Sequence, residues 1–216
     1  MAGKVGVIGS GIVAQVLAGG FADKGYEVRM GSREPGKLAT FARPPRLTAG
    51  TVAEAAAFGE LLVLAVKGTA ALAALTQAGD DALGDKVVID TTNPIDDRPP
   101  HRGVLHFFTG PNDSLMERLQ AAHPRARFVK AWNSVGNAFM VDPQLPGGPP
   151  TMFFCGDDAG AKAQVADILR KFGWDPEDVG SAASARALEP LCQLWCLPGF
   201  LRNQWTHAFK LLRADR

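Results

Sequence analysis

KVGVIGSGIVAQVLAGGFADKGYEVRMGSRE, residues 4–34, opens with a short apolar run, Lys4–Ile8, that stops at Gly9. Such runs suit a strand buried on both faces of a parallel sheet. From Gly11 to Lys24 the residues Ile12, Val13, Val16, Leu17 and Phe21 recur at helical spacing, and Gly25 follows as a helix-ending residue. Tyr26–Met30 reads as a second strand. A strand, a glycine turn, a helix and a strand within about thirty residues make a βαβ unit. Its turn carries G-x-G-x-x-A as Gly9, Gly11 and Ala14. Gly9 permits the tight exit from the strand, Gly11 leaves its backbone open to a close ligand, and Ala14 lets the helix pack on the sheet. The helix start presents unpaired N–H groups and a partial positive charge to phosphates. A bare glycine pattern says little, but at the first strand-to-helix turn of a βαβ unit it points to a bound dinucleotide. The alternative is a tight turn without a ligand.

The end of the second strand bears on which dinucleotide. An NAD site places Asp or Glu there to bond the ribose 2′-hydroxyl. Here the place holds Met30, Gly31, Ser32 and Arg33, with Lys37 one turn on. Ser32 can donate a hydrogen bond, and Arg33 and Lys37 can pair with a phosphate, which selects NADP(H). Each basic residue alone reads equally as a solvated charge. Glu34 opposes the assignment, although an acid beside Pro35 also suits a helix start.

Strands and helices keep alternating. Pro35–Ala42 reads as a short helix, and Thr51–Phe58 as a helix with a capping box between Thr51 and Glu54. Leu61–Val66, Lys86–Asp90 and Arg127–Ala131 read as strands, and Ala70–Ala78 as a helix. Asp96–Gly103 and Pro143–Pro150 are Pro/Gly-rich loops. The order implies an α/β fold, a Rossmann-type, doubly wound, mainly parallel sheet. Residues 1–150 form the dinucleotide-binding domain. Residues 151–216 form a small C-terminal α/β extension: a strand at Thr151–Cys155, a helix start at Asp157–Asp158, and a helix with Val165, Ile168, Leu169 and Phe172 on one face. An apolar helix ends the chain, from about Ala182 to Leu212, with a break expected near Pro198 and Gly199. Its apolar surface is read as packing partly on the sheet and partly on a second copy, as a homodimer.

Composition excludes several classes. The chain has 216 residues, 46% hydrophobic and 21% charged, with a net charge of +1. No global field draws it to nucleic acid or an anionic membrane. Met1–Lys4 followed by Val5–Ile8 is too short for a signal peptide, and no stretch approaches the roughly 18 apolar residues of a membrane span. A cytoplasmic protein is expected. Cys155, Cys192 and Cys196 do not suggest a disulfide framework. Cys192 and Cys196 read as small core residues rather than a redox or metal pair, and no metal site is expected.

VGVIGSGIVAQVLA (5–18), MGSREPGKL (30–38), LAVKG (64–68), CGDDAGAKAQVADILRKFGW (155–174) and SARALEPLCQLW (184–195) resemble the coenzyme F420-dependent NADP oxidoreductase family. They are similar also to the oxidoreductase domain of the STEAP metalloreductases. The resemblance spans nearly the whole chain. It implies that Gly9, Ser10, Gly11 and Ile12 lie at the pyrophosphate, and that Ser32, Arg33 and Lys37 hold the 2′-phosphate. It implies that Val66 and Lys67, with Gly68, flank the cofactor, and that Asn93 and Pro94 border the nicotinamide. Ala131–Asn137 (AWNSVGN), with Trp132, Asn133, Ser134 and Gly136, would form the floor on which a small redox partner stacks. That partner would be F420, FMN, FAD or another small molecule, and members are typically homodimers. Archaeal F420 enzymes carry His and Pro where this chain has Asn133 and Gly136. The segment is closer to the Phe-Asn-Thr pattern of STEAP-like relatives, with Trp132 in the Phe place. Membrane metal reduction is not expected of this chain alone.

Hydride transfer between stacked rings needs held geometry and dryness more than acid–base help, so no catalytic residue is singled out. A carbonyl or imine substrate would need a proton donor, for which Lys67, His101 and His106 are candidates. The two histidines read equally as loop residues with ordinary polar contacts, and His123 and His207 as structural. Trp132 can stack on a ring or fill the core, and Asp90 can cap the next loop. The leading reading is an NADPH-dependent oxidoreductase. A non-catalytic NADPH sensor and an imine or keto-acid reductase of the β-hydroxyacid dehydrogenase type are the alternatives.

Overall fold

The structure, a computed structural model, describes residues 3–214. Met1 and Ala2, part of the segment weighed as a leader, lie outside the described residues. In chain order the elements are β1 (Lys4–Ile8), α1 (Ile12–Asp23), β2 (Glu27–Gly31), β3 (Leu47–Gly50), α2 (Val52–Phe58), β4 (Leu61–Leu64), α3 (Ala71–Ala78), α4 (Asp80–Leu83) and β5 (Val87–Asp90). They continue with α5 (Leu115–Ala122), β6 (Arg127–Lys130), β7 (Thr151–Gly156), α6 (Ala159–Lys171), β8 (Asp175–Asp178) and α7 (Ala185–Arg202). The eight strands form one sheet in the order β3-β2-β1-β4-β5-β6-β7-β8. Every pairing is parallel except β6 with β7. Strand order reverses between β1 and β4, which opens the crevice where α/β sheets bind ligands.

The continuous apolar strands are buried on both faces, as a parallel sheet requires. One face packs against α1 and α6 through Leu17, Phe21, Val165, Leu169 and Phe172. The other packs against α2, α3, α5 and α7 through Ala56, Leu75, Leu119 and Leu188. Thr51 and Glu54 form both bonds of the expected capping box at α2.

Two expected helices differ. Pro35–Ala42 is a single 3₁₀ turn over Pro35–Leu38, because Gly36 weakens it and only Leu38 turns a buried side chain inward. The terminal helix runs through Pro190 and Pro198 and stops at Arg202, not Leu212. Asn203 adopts a left-handed conformation (φ 54°) that turns the chain out of the helix. The segment after it folds back along α7. Trp195 Nε1 donates to the His207 carbonyl at 2.9 Å, the two rings stack 4.9 Å apart, and Thr151 N donates to the Phe209 carbonyl at 2.9 Å. The aromatic residues here are apolar because they wrap α7, not because they extend it. Among the described residues no helix is long and apolar enough to cross a membrane, and no group of side chains suits a metal ion.

Candidate dinucleotide site

The crevice is lined by the carboxyl ends of β1, β2, β4, β5 and β6. Gly9 closes β1 with φ +141°, and a Cβ there would meet the Ala65 carbonyl oxygen at 2.2 Å. Glycine is therefore required because the exits of the paired parallel strands β1 and β4 come into backbone contact here. Gly11 is the opposite case: a Cβ there would meet nothing within 4 Å. It caps α1 with extended backbone and supplies no side-chain oxygen, whereas α2, α5 and α6 are capped by Thr51, Ser114 and Asp158. The first N–H groups of α1 are thus left for an outside acceptor. Ser10 is exposed and its carbonyl accepts from Gln15 Nε2 at 3.0 Å. Ile12 is 58% exposed at the start of the helix.

At the end of β2, Ser32 is buried and its Oγ accepts from the Glu34 amide at 3.1 Å, which leaves its own proton to donate. Arg33 is exposed. Lys37 is not free beside it: Nζ lies 2.8 Å from Glu34 Oε1. That bond and the Lys37 charge hold the Glu34 carboxyl below its usual range. Both groups are well exposed, so the pair is weak and an incoming phosphate can compete for the lysine.

Beyond β4, Val66 is half-buried, Lys67 is exposed and reaches Asp97 at 3.4 Å, and Gly68 fits only because a Cβ would strike the Asn93 carbonyl oxygen at 2.0 Å. Asn93 Nδ2 donates to the Asn133 carbonyl at 2.7 Å. Asn133 Nδ2 donates to Asn93 Oδ1 at 3.1 Å and to the Leu188 carbonyl at 2.8 Å. The loops after β5 and β6 are clasped to each other and to α7. Asn133 Oδ1 is buried and accepts no hydrogen bond among the described residues. Pro94 and Ser134 are buried, and Gly136 rests on the Trp195 ring, where a Cβ would come within 2.7 Å.

Trp132 corrects the expectation that it offers a ring to a ligand. It is 0% exposed and sits beside Phe172 and Phe21, with centroids 5.2 and 6.4 Å away. Its positive φ of 57° turns the side chain inward, so it fills the core. His101 is exposed and His106 half-buried, on a hairpin that leaves the site after Pro94. His123 bonds Asp80 and His207 bonds the Trp195 carbonyl, as structural histidines do. Cys155 and Cys192 are buried, and burial pushes the Cys155 thiol up to about 12.

Behind the clasp lies an ion cluster of which the sequence singles out only Asp90, and not Lys130 or Glu189. Lys130, at the end of β6, is fully buried, with Nζ 2.7 Å from Asp90 Oδ2, 3.0 Å from Glu189 Oε1 and 2.9 Å from the Thr92 carbonyl. Asp90 Oδ1 accepts from the Thr92 amide and hydroxyl, so it caps the loop as anticipated. Glu189 accepts from the Leu115 and Met116 amides at the start of α5. The available signal was a charge inside each of three apolar stretches: VVID, RFVKA and ALEPL.

Four similarities bear on this site. Residues 4–94 match the family model described as NADP oxidoreductase, coenzyme F420-dependent. A protein from Arthrobacter sp. FB24, provisionally described as an F420-dependent NADP-reductase, has a structure that superposes with a TM-score of 0.91 at 35% identity, over 98% of this chain and 100% of that one. The rat metalloreductase STEAP3 is 32% identical over 203 residues, 92% of this chain, and the chain spans 39% of that protein's length. An imine reductase from Myxococcus stipitatus shares the fold at 19% identity and a TM-score of 0.66, over 90% of this chain and 62% of that one.

Proposed function

This chain belongs to the coenzyme F420-dependent NADP oxidoreductase family and is an NADP-dependent oxidoreductase, and from that premise we propose that it passes hydride between NADP(H) and a flavin-like ring, F420, FMN or FAD, or another small redox partner. The observation that carries the reading is the pairing of two features: an α1 start with no side-chain cap, faced by a glycine whose Cβ position is open, and a β2 end with Ser32–Arg33 in place of a carboxylate. The unpartnered Asn133 Oδ1 adds a buried acceptor at the other end of the crevice, as a polar ligand there would use.

NADPH, when bound, supplies the transferable hydride. The residues do the rest. The amides that open α1 receive the diphosphate, and Gly11 lets it approach. The Ser32 hydroxyl and the Arg33 guanidinium hold the 2′-phosphate, and Lys37 joins by leaving Glu34. Val66 and Lys67 flank the cofactor, and the Asn93–Asn133 clasp, with Pro94, fixes the wall beside the ring. We propose the Ser134–Gly136 segment as the wall on which an acceptor would rest. Held rings and a dry wall lower the barrier without an acid or base. As a partner we propose a second copy of the chain, through Leu194, Phe200 and Leu201, which α7 leaves exposed.

NADPH oxidation followed at 340 nm with F420, FMN and FAD offered separately identifies the acceptor. No oxidation with any of the three, by protein that binds NADPH, would defeat the flavin-like reading. Arg33→Ala should weaken NADPH by on the order of 1.5–3 kcal/mol and leave NADH nearly unchanged. Calorimetric titration with both cofactors checks it, and equal weakening would remove Arg33 from the phosphate site.

A further inference from the structure

The Asp90–Lys130–Glu189 group is costly to build. All three side chains are within 1% of full burial, and each ion gives up its water. Apolar side chains of similar volume would hold the same space with equal or greater stability. What they could not supply is direction, and the direction of these bonds is specific. Asp90 ends β5 and grips Thr92, two residues on. Lys130 ends β6 and donates to the Thr92 carbonyl, directly before Asn93. Glu189 holds Lys130 from α7, and the Leu188 carbonyl, one residue away, accepts from Asn133. The two halves of the asparagine clasp therefore hang from one ion cluster. The adenosine half of the crevice, at Gly9–Ile12 and Ser32–Arg33, shares none of these bonds.

We propose that Lys130 is a positioning residue: through Thr92, Asp90 and Glu189 it sets the clasp that borders the nicotinamide, and the adenosine half of the site does not depend on it. The role rests on the NADP(H) reading above. Lys130 is fully buried and does not touch the cofactor; it acts through the loop it holds. It remains charged in that role. Burial works against the ammonium, but the two carboxylates outweigh burial and hold it above the ordinary lysine range.

The test uses the full chain with Lys130→Met and, as the milder change, Glu189→Gln. Two ligands separate the halves of the site. 2′,5′-ADP occupies only the adenosine half, and NADPH occupies both. The expected result is a 2′,5′-ADP dissociation constant within about twofold of the parent. NADPH affinity relative to 2′,5′-ADP should fall roughly tenfold, and bound NADPH emission should move toward that of free cofactor. A merely structural lysine would weaken both ligands alike or neither, and either result overturns the proposal. If Glu189→Gln does not melt cooperatively, the cluster serves the fold alone and the proposal also falls. If the parent chain binds neither ligand, the NADP(H) reading fails first and takes this inference with it.

Discussion

Gly11→Val should leave the fold standing and reduce NADP(H) affinity by at least about 100-fold. The fold survives because nothing lies within 4 Å of a Cβ at this position. The backbone there is extended (φ −73°, ψ 177°), a conformation that β-branched residues accept. Glycine supplies no side-chain cap, so the helix start loses only about 1 kcal/mol or less. Binding fails because the branched side chain fills the space over the first α1 amides. The diphosphate then loses charge-assisted hydrogen bonds of about 1.5–3 kcal/mol each. Gly9→Ala should behave the other way. Its Cβ is driven against the Ala65 carbonyl at 2.2 Å, in a conformation (φ +141°) that only glycine takes readily, so the melting temperature falls. Thermal melts and calorimetric titrations of both variants would separate the two roles. A Gly11→Val protein that still binds NADPH at parental affinity would move the diphosphate elsewhere.

Lys130→Met should be the most destabilising change among the polar residues discussed, about 3–5 kcal/mol. The methionine fills the volume, but Asp90 and Glu189 are left as neighbouring buried carboxylates without their cation. For a chain of this size the melting temperature should fall by about 10 °C. The pH dependence supplies a second signature. Because the folded-state value of Lys130 is raised above 10.5, its stabilisation is complete below that value and lost as pH rises through and beyond it. The parent should therefore lose stability on the alkaline side, and Lys130→Met should lose less over the same range. Denaturant titrations from neutral pH to above that of free lysine would check both. A variant as stable as the parent would show that the cluster contributes no net stabilisation.

The βαβ unit was legible because its signals agreed: a run buried on both faces, glycines at fixed offsets, and helical spacing from Ile12 to Phe21. The capping box at Thr51 and Glu54 was legible for the same reason, since both of its bonds are local. β3 (LTAG) and β8 (DPED) were not legible. They lie at the two edges of the sheet, where one side has no strand to pair and no apolar pattern is demanded. Their identity as strands comes from their neighbours. The end of α7 misled for a different reason. Trp205 and His207 are apolar or aromatic because they pack back on Trp195, and tertiary wrapping has no period along the chain. Trp132 had the composition of a stacking residue, but its left-handed backbone, invisible in the letters, aims it into the core. The ion cluster needed three segments far apart in sequence to be seen together.

The most direct measurement is calorimetric titration of the unmodified chain with NADPH and with NADH. A 2′-phosphate held by Ser32 and Arg33 predicts that NADPH binds at least roughly tenfold more tightly, with an advantage that shrinks as salt is added. Equal affinity for the two cofactors, or binding of neither, would contradict it.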